Sequence, residues 1–131
     1  MTETEPQTLL QVTPDRWLPN RYAGASGDFN PVHVDAEYAR AAGLPAPILH
    51  GLYVMAQVAR AVTDTVDGDP RRLRRLSVQF RGLGFTEQPI TVEALCTDEQ
   101  PGVRTIEVVA RQQDRELIRN ASATLITEDT P

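Results

Sequence analysis

The chain has 131 residues, 40% of them hydrophobic and 24% charged, which suits one domain around one core and excludes disordered and collagen-like classes. Its net charge of −5 argues against general nucleic-acid binding. No apolar run approaches the ~20 residues of a membrane span, and the acidic opening Met1-Thr2-Glu3-Thr4-Glu5-Pro6 is the opposite of a signal peptide, so a soluble cytoplasmic protein is expected.

Cys96 is the single cysteine, cannot form an internal disulfide, and fits a reducing compartment. It lies in an alternating apolar segment and reads as a small buried hydrophobe rather than a nucleophile. All basic side chains are arginines, and Arg71, Arg72, Arg74, Arg75 and Arg81 crowd one stretch. A local basic patch on an acidic chain suits a small anionic ligand better than a polyanion.

In chain order, residues 1–8 read as a frayed tail and Leu9 to Val12 as a short edge strand, with residues 13–131 forming a single domain. Thr13-Pro14-Asp15 has the form of a helix start, an N-cap followed by proline at the first helical position. That helix would carry Trp17, Leu18 and Tyr22 towards the core, with a kink or a restart near Asn20 because Pro19 removes a backbone donor. Asp35 to Gly43 reads as a helix of about two turns, Asp35 capping its start and Gly43 ending it. Leu44-Pro45-Ala46-Pro47 cannot be helical, because each proline pushes its predecessor to extended geometry.

From Gly51 to Val66 the apolar residues recur with a 3.6-residue period and nearly encircle the helix, the pattern of a helix enclosed by other structure. Asp67-Gly68-Asp69-Pro70 ends it. Beyond that point alternation predicts strands over Leu76 to Arg81, Ile90 to Asp98, Val103 to Gln112 and Glu116 to Thr127. Short turns at Gln100-Pro101-Gly102 and Gln113-Asp114-Arg115 imply antiparallel pairing. The expected fold class is α+β, a long central helix wrapped by a meander of about four strands.

The chemistry centres on Ser26-Gly27-Asp28-Phe29-Asn30-Pro31-Val32-His33 and on Pro47-Ile48-Leu49-His50-Gly51. Asp28 and His33 alone admit a bland reading, a turn cap and a satisfied buried histidine. Against it, the segment lacks apolar periodicity, and Asn30-Pro31 is expected to make an extended step turning Asp28 and His33 to one side. The helix starting at Gly51 then supplies backbone N–H groups and a positive dipole end suited to an oxyanion.

Tyr22 to Asp35, followed by Pro47-Ile48-Leu49-His50-Gly51, a Gly-Asp-Pro turn and a strand ending Val78-Gln79-Phe80-Arg81, closely resembles the MaoC-like (R)-specific enoyl-CoA hydratases and 3-hydroxyacyl-thioester dehydratases. Within them it is most similar to the catalytic subunit of mycobacterial-type fatty-acid dehydratases. The resemblance implies a hot-dog fold, an antiparallel sheet around the Gly51 helix, and protomers paired with the active site at or near their interface. It implies a lyase in which Asp28 and His33 hold the reacting water, and the Gly51 N–H binds the thioester carbonyl. The substrate would be an acyl thioester, with CoA or the phosphopantetheine of an acyl carrier protein as part of it and no separate cofactor. The partner would be a second copy or a related hot-dog subunit, with no nucleic acid and no membrane involved. A hot-dog thioesterase shares the scaffold and remains the alternative. So does a heterodimeric dehydratase in which this chain, carrying Asp28, His33 and Gly51, is the catalytic half.

Asn30 is expected to orient the turn, and Arg81, following Phe80 at a strand end, is the candidate phosphate contact. The arginines at 71, 72, 74 and 75 read as a solvated face. His50 reads as structural at a helix start, and no metal is expected, since Asp28, His33 and His50 match no ligand spacing. Ser26 and Thr13 lack the neighbouring base a nucleophile needs. The chain departs from the pattern at Leu52, where methionine is usual, at Ala59, where some relatives carry serine, and at Gln88-Pro89-Ile90, where many have a Gly-Asp turn.

Overall fold

The structure, a computed structural model, describes residues 5–128. Its elements run β1 (Gln7–Val12), α1 (Leu18–Ser26), α2 (Pro31–Val34), α3 (Ala36–Ala41), α4 (Gly51–Asp64), a 3-10 turn (Pro70–Arg72), β2 (Leu73–Phe80), β3 (Ile90–Gln100), β4 (Val103–Gln112) and β5 (Arg115–Ile126). The five strands form one antiparallel sheet in the order β1-β3-β4-β5-β2.

The alternation read from the sequence has a direct structural counterpart. In β3, Ile90, Val92, Ala94 and Cys96 face inward while their neighbours do not. Ile106 and Val108 of β4 and Ala121, Ala123 and Leu125 of β5 complete that face. Against it lies α4, which touches all five strands through Val54, Val58, Ala61 and Val62. Each large apolar side chain buried there contributes about 1.5–3 kcal/mol. A sheet packed around one helix is the hot-dog arrangement that the resemblance implies.

The differences from expectation have local causes. The strands do not follow one another as a simple meander: β2 pairs with β5 instead of β3, and segment 81–89 carries the chain from one side of the sheet towards the other. Among the described residues, the hairpins are the two turns identified in the sequence, β3–β4 and β4–β5. The edge strand β1 begins at Gln7, so Gln7 and Thr8 belong to the sheet rather than to a tail; Met1 to Thr4 lie outside the described residues. Strand β2 begins at Leu73, three positions before the expected Leu76, after a turn capped by the Asp69 side chain.

The helix expected from Pro14 starts instead at Leu18. The Asp15 carboxylate accepts from the Trp17 amide at 2.8 Å and bends the chain first. Pro19 therefore falls in the first turn of α1, where its missing N–H has no intrahelical acceptor to lose, and the helix runs unbroken to Ser26. Leu18 and Tyr22 pack on the core, but Trp17 is left outside with 57% of its surface exposed. Around α4 the apolar residues are not all enclosed: Leu52 is 62% exposed and Ala56 is exposed beside it. Nor is Arg72 on a solvated face, since its guanidinium donates to the carbonyls of Ile126 and Glu128.

Among the described residues, no helix is long and apolar enough to cross a membrane.

Candidate active site

Asp28 and His33 come together at the mouth of α4. Gly27 leaves α1 in the left-handed region at φ 79°, a conformation glycine adopts without steric cost. The Ser26 hydroxyl then accepts from the Asp28 amide at 3.1 Å, and Asp28 Oδ1 accepts from the Asn30 amide at 3.2 Å. With Oδ1 engaged in the turn, Oδ2 faces His33 Nε2 across 3.8 Å.

The step at Asn30 is extended as expected before proline, and one turn of helix, α2, follows it. Asn30 has extended backbone, its Oδ1 accepts from the Val32 amide at 3.3 Å, and Pro31 takes the first helical position. This is the same N-cap and proline pattern that Thr13-Pro14 displays, here realised. The turn of α2 aims His33 back towards Asp28, which an extended strand would not do.

His33 Nδ1 lies 2.8 Å from the Ile48 carbonyl, an acceptor only, so Nδ1 carries the proton. In the neutral ring, Nε2 is then a bare lone pair beside the Asp28 carboxylate. Two acceptors too far apart for a direct hydrogen bond face a common space. A donor with two O–H groups fits between them. Asp28 has 53% of its side chain exposed and His33 has 11%, so the pair is reachable from solvent at the carboxylate.

Gly51 is the first residue of α4, and its cap, His50, makes no side-chain capping bond. The first-turn amides of a helix have no intrahelical acceptor and carry the positive end of the dipole. Phe80, at the end of β2, covers this glycine: a methyl group on Gly51 would stand 3.2 Å from a Phe80 ring carbon. Arg81 is exposed, one residue beyond that ring, and its amide donates to the Leu117 carbonyl. His33 also borders a groove of about 310 Å³ shared with Trp17, Asn20 and Pro47. A larger groove of about 690 Å³ runs over β3, β4 and β5 past Glu93, Glu107 and Arg119, and holds neither Asp28 nor His33.

His50 is 2% exposed, and its Nε2 sits 3.0 Å from the Asp28 backbone carbonyl. Its ring stacks on His33 at 3.8 Å between centroids and 20° between planes. The ligand-type atoms of Asp28, His33 and His50 lie within 4.8 Å of one another. A metal ion sits in the plane of each ligating imidazole at about 2.0–2.1 Å. Two stacked, nearly parallel rings do not share such a point, so the trio does not suit one ion.

Sequence reasoning did not find Gln112, which is fully buried. Its Oε1 accepts from the Phe85 amide at 2.8 Å, and its Nε2 donates to the carbonyls of Phe85 and Gln88 at 2.6 and 3.0 Å. Segment 81–89 is thereby pinned to the sheet, and its Gly84 carbonyl accepts from the Leu49 amide at 2.8 Å, just before α4. The only signal was a glutamine on the inward side of an alternating strand. Ala59, half-buried on α4, brings no polar group to the site.

Comparison with known proteins shows the family to which the chain belongs. Residues 2–116 match the family model described as MaoC like domain. Over 94 residues, 71% of the chain, it is 36% identical to fatty acid synthase beta subunit TOXC of Cochliobolus carbonum, covering 4% of that protein. Over 87 residues, 66% of the chain, it is 34% identical to enoyl-CoA hydratase ChsH3 of Mycobacterium tuberculosis, covering 29% of it. The chain thus spans well under half of either relative. An (R)-hydratase from A. caviae involved in PHA biosynthesis shares the fold with a TM-score of 0.81 at 19% identity, over 96% of this chain and 97% of that one. A family match that runs from before β1 into β5 takes in both the turn that carries Asp28 and the helix start at Gly51, and this chain belongs to the MaoC-like domain family.

Proposed function

We propose that the chain is a hydro-lyase that adds water across a trans-2-enoyl thioester to give the (3R)-hydroxyacyl thioester, or removes it in reverse. The observation that carries this reading is the pair of acceptors, Asp28 Oδ2 and His33 Nε2, facing each other 3.8 Å apart beside the uncapped start of α4. The family assignment and the 34% identity to an enoyl-CoA hydratase support it.

In hydration, the water oxygen bonds to C3, one of its O–H bonds breaks, and Asp28 or His33 takes that proton. The C2–C3 π pair moves towards the carbonyl, and the Asp28/His33 pair, which now holds the proton taken from water, returns it to C2 and ends as it began. Negative charge gathers on the carbonyl oxygen, where the Gly51 amide is the donor; one preorganised donor of this kind is worth about 3 kcal/mol. Asp28 and His33 divide the proton movements between them. Asn30 holds the turn that presents Asp28, and Arg81 is the phosphate contact for CoA or a carrier's phosphopantetheine.

The exposed Leu52 and Phe80 beside Gly51 support a second hot-dog subunit, a copy of this chain or a relative, closing the site. A reducing, cytoplasmic setting fits the lone buried thiol of Cys96. The test is incubation with crotonyl-CoA and longer enoyl-CoAs, alone and with any neighbouring hot-dog subunit. Loss of enoyl-thioester absorbance is expected. Release of free thiol from saturated acyl-CoA, with enoyl absorbance unchanged, would show a thioesterase instead.

A further inference from the structure

We propose that His50 is a positioning residue for Asp28 and His33, acting through the Asp28 backbone carbonyl and never on substrate. Its kinetic consequence rests on the hydratase reading; the placement itself does not.

The argument starts from what holds the two acceptors in place. The bonds accepted by the Ser26 hydroxyl and by the Asp28 carboxylate are local turns, which bend segment 26–30 without tying it to α4. The ties to the α4 entrance come from Ile48 and His50, two positions apart. Ile48 accepts the His33 Nδ1 proton at 2.8 Å, and its own amide donates to the Val32 carbonyl at 3.0 Å. His50 donates from Nε2 to the Asp28 carbonyl at 3.0 Å. One short stretch of chain therefore grips both halves of the pair, one at each end.

The His50 ring also forms a wall. It stacks on His33 at 3.8 Å, and the Tyr22 ring lies 4.7 Å away at a 48° tilt. These contacts limit how far either imidazole can swing. Because the Asp28 carbonyl only accepts, Nε2 carries the proton of a neutral His50 ring, which leaves Nδ1 a bare acceptor. Nδ1 is buried and without a hydrogen-bond partner among the described residues. A group held unsatisfied in the interior is costly, and a hydrocarbon ring of similar shape would avoid the cost. What such a ring lacks is the N–H that holds Asp28.

Two variants separate the parts of this role. His50→Phe keeps a ring to stack on His33 and loses the donor. His50→Gln loses the ring but places an N–H the same number of bonds from Cβ. With wild type measured alongside, His50→Phe is expected to lower kcat about 10-fold with KM within about twofold, the effect of one misplaced hydrogen-bonded group. His50→Gln is expected to recover most of that loss. Wild-type kcat in His50→Phe, or equal losses in both variants accompanied by equal losses of thermal stability, overturns the proposal.

Imidazole nitrogen NMR of His33, recorded without substrate, tests placement separately from turnover. Asp28→Asn is expected to shift His33 Nε2 in the wild-type background and in His50→Gln, but not in His50→Phe. A shift that persists in His50→Phe overturns the positioning role. A wild-type protein inert towards enoyl thioesters that still shows the expected pattern supports that role and sinks only the hydratase reading.

Discussion

His33 Nε2 and Asp28 Oδ2 stand 3.8 Å apart, longer than a hydrogen bond and short enough for one small molecule to touch both. Neither group donates to the other in the neutral form of the histidine. The pair is therefore arranged to act on a third group, and the first prediction follows from that.

Asp28→Asn is expected to lower kcat/KM for crotonyl-CoA hydration at least ~100-fold, as is His33→Gln, each removing a group that handles a proton. Because the two act on one water, the double variant should fall little below the worse single one. Absorbance assays on the three variants check this. Full activity in Asp28→Asn would remove it from the mechanism.

Gly51→Pro tests the oxyanion donor with the helix left standing. Proline is favoured at the first helical position, and His50 before it already has the extended backbone that proline demands, with ψ 133°. The substitution deletes the amide proton and is expected to lower kcat about 100-fold or more. The Phe80 ring crowds any Cβ there, so the variant is compared with Phe80→Ala and with the double variant. Circular dichroism confirms the fold. Activity unaffected by proline would place the donor elsewhere.

Gln112→Leu is expected to destabilise the protein by about 2–4 kcal/mol, since it strips partners from half-buried backbone groups of Phe85 and Gln88. Urea unfolding measures it. Segment 81–89 supports Leu49 through Gly84, so part of the activity should be lost before global unfolding. Coincident loss of both would show that the segment does not open on its own.

Cys96 is 4% exposed, and burial, with Glu99 beside it, raises the thiol above its ordinary value. The folded state therefore holds this proton longer than the unfolded chain does. Any stability from that difference is fully present below the unfolded thiol's pKa and declines as pH rises through the raised one. Labelling by a thiol reagent at pH 8 is expected to be slow in the native protein and fast in urea. Rapid native labelling would contradict the burial.

Much of this was legible along the chain. The period of α4 and the alternation of β3, β4 and β5 are local signals of which side faces the core, and burial follows them. The errors cluster where two local rules compete. At Thr13-Pro14 the capping pattern lost to the Asp15 turn, while at Asn30-Pro31 the same pattern held and the extended step led into a helical turn not expected there. Single-residue chemistry does not say which neighbour the rest of the fold will leave in place.

Turn chemistry, a helix start and a motif resemblance together nominated Asp28, His33 and Gly51, because each of these signals is carried by a few neighbouring positions. The placement of β2 beyond β5, the grip of His50 on Asp28 and of Gln112 on segment 81–89 emerged only in three dimensions. Those contacts join residues 22 or more positions apart, and their strength depends on closing the core around α4, which no short window of sequence encodes.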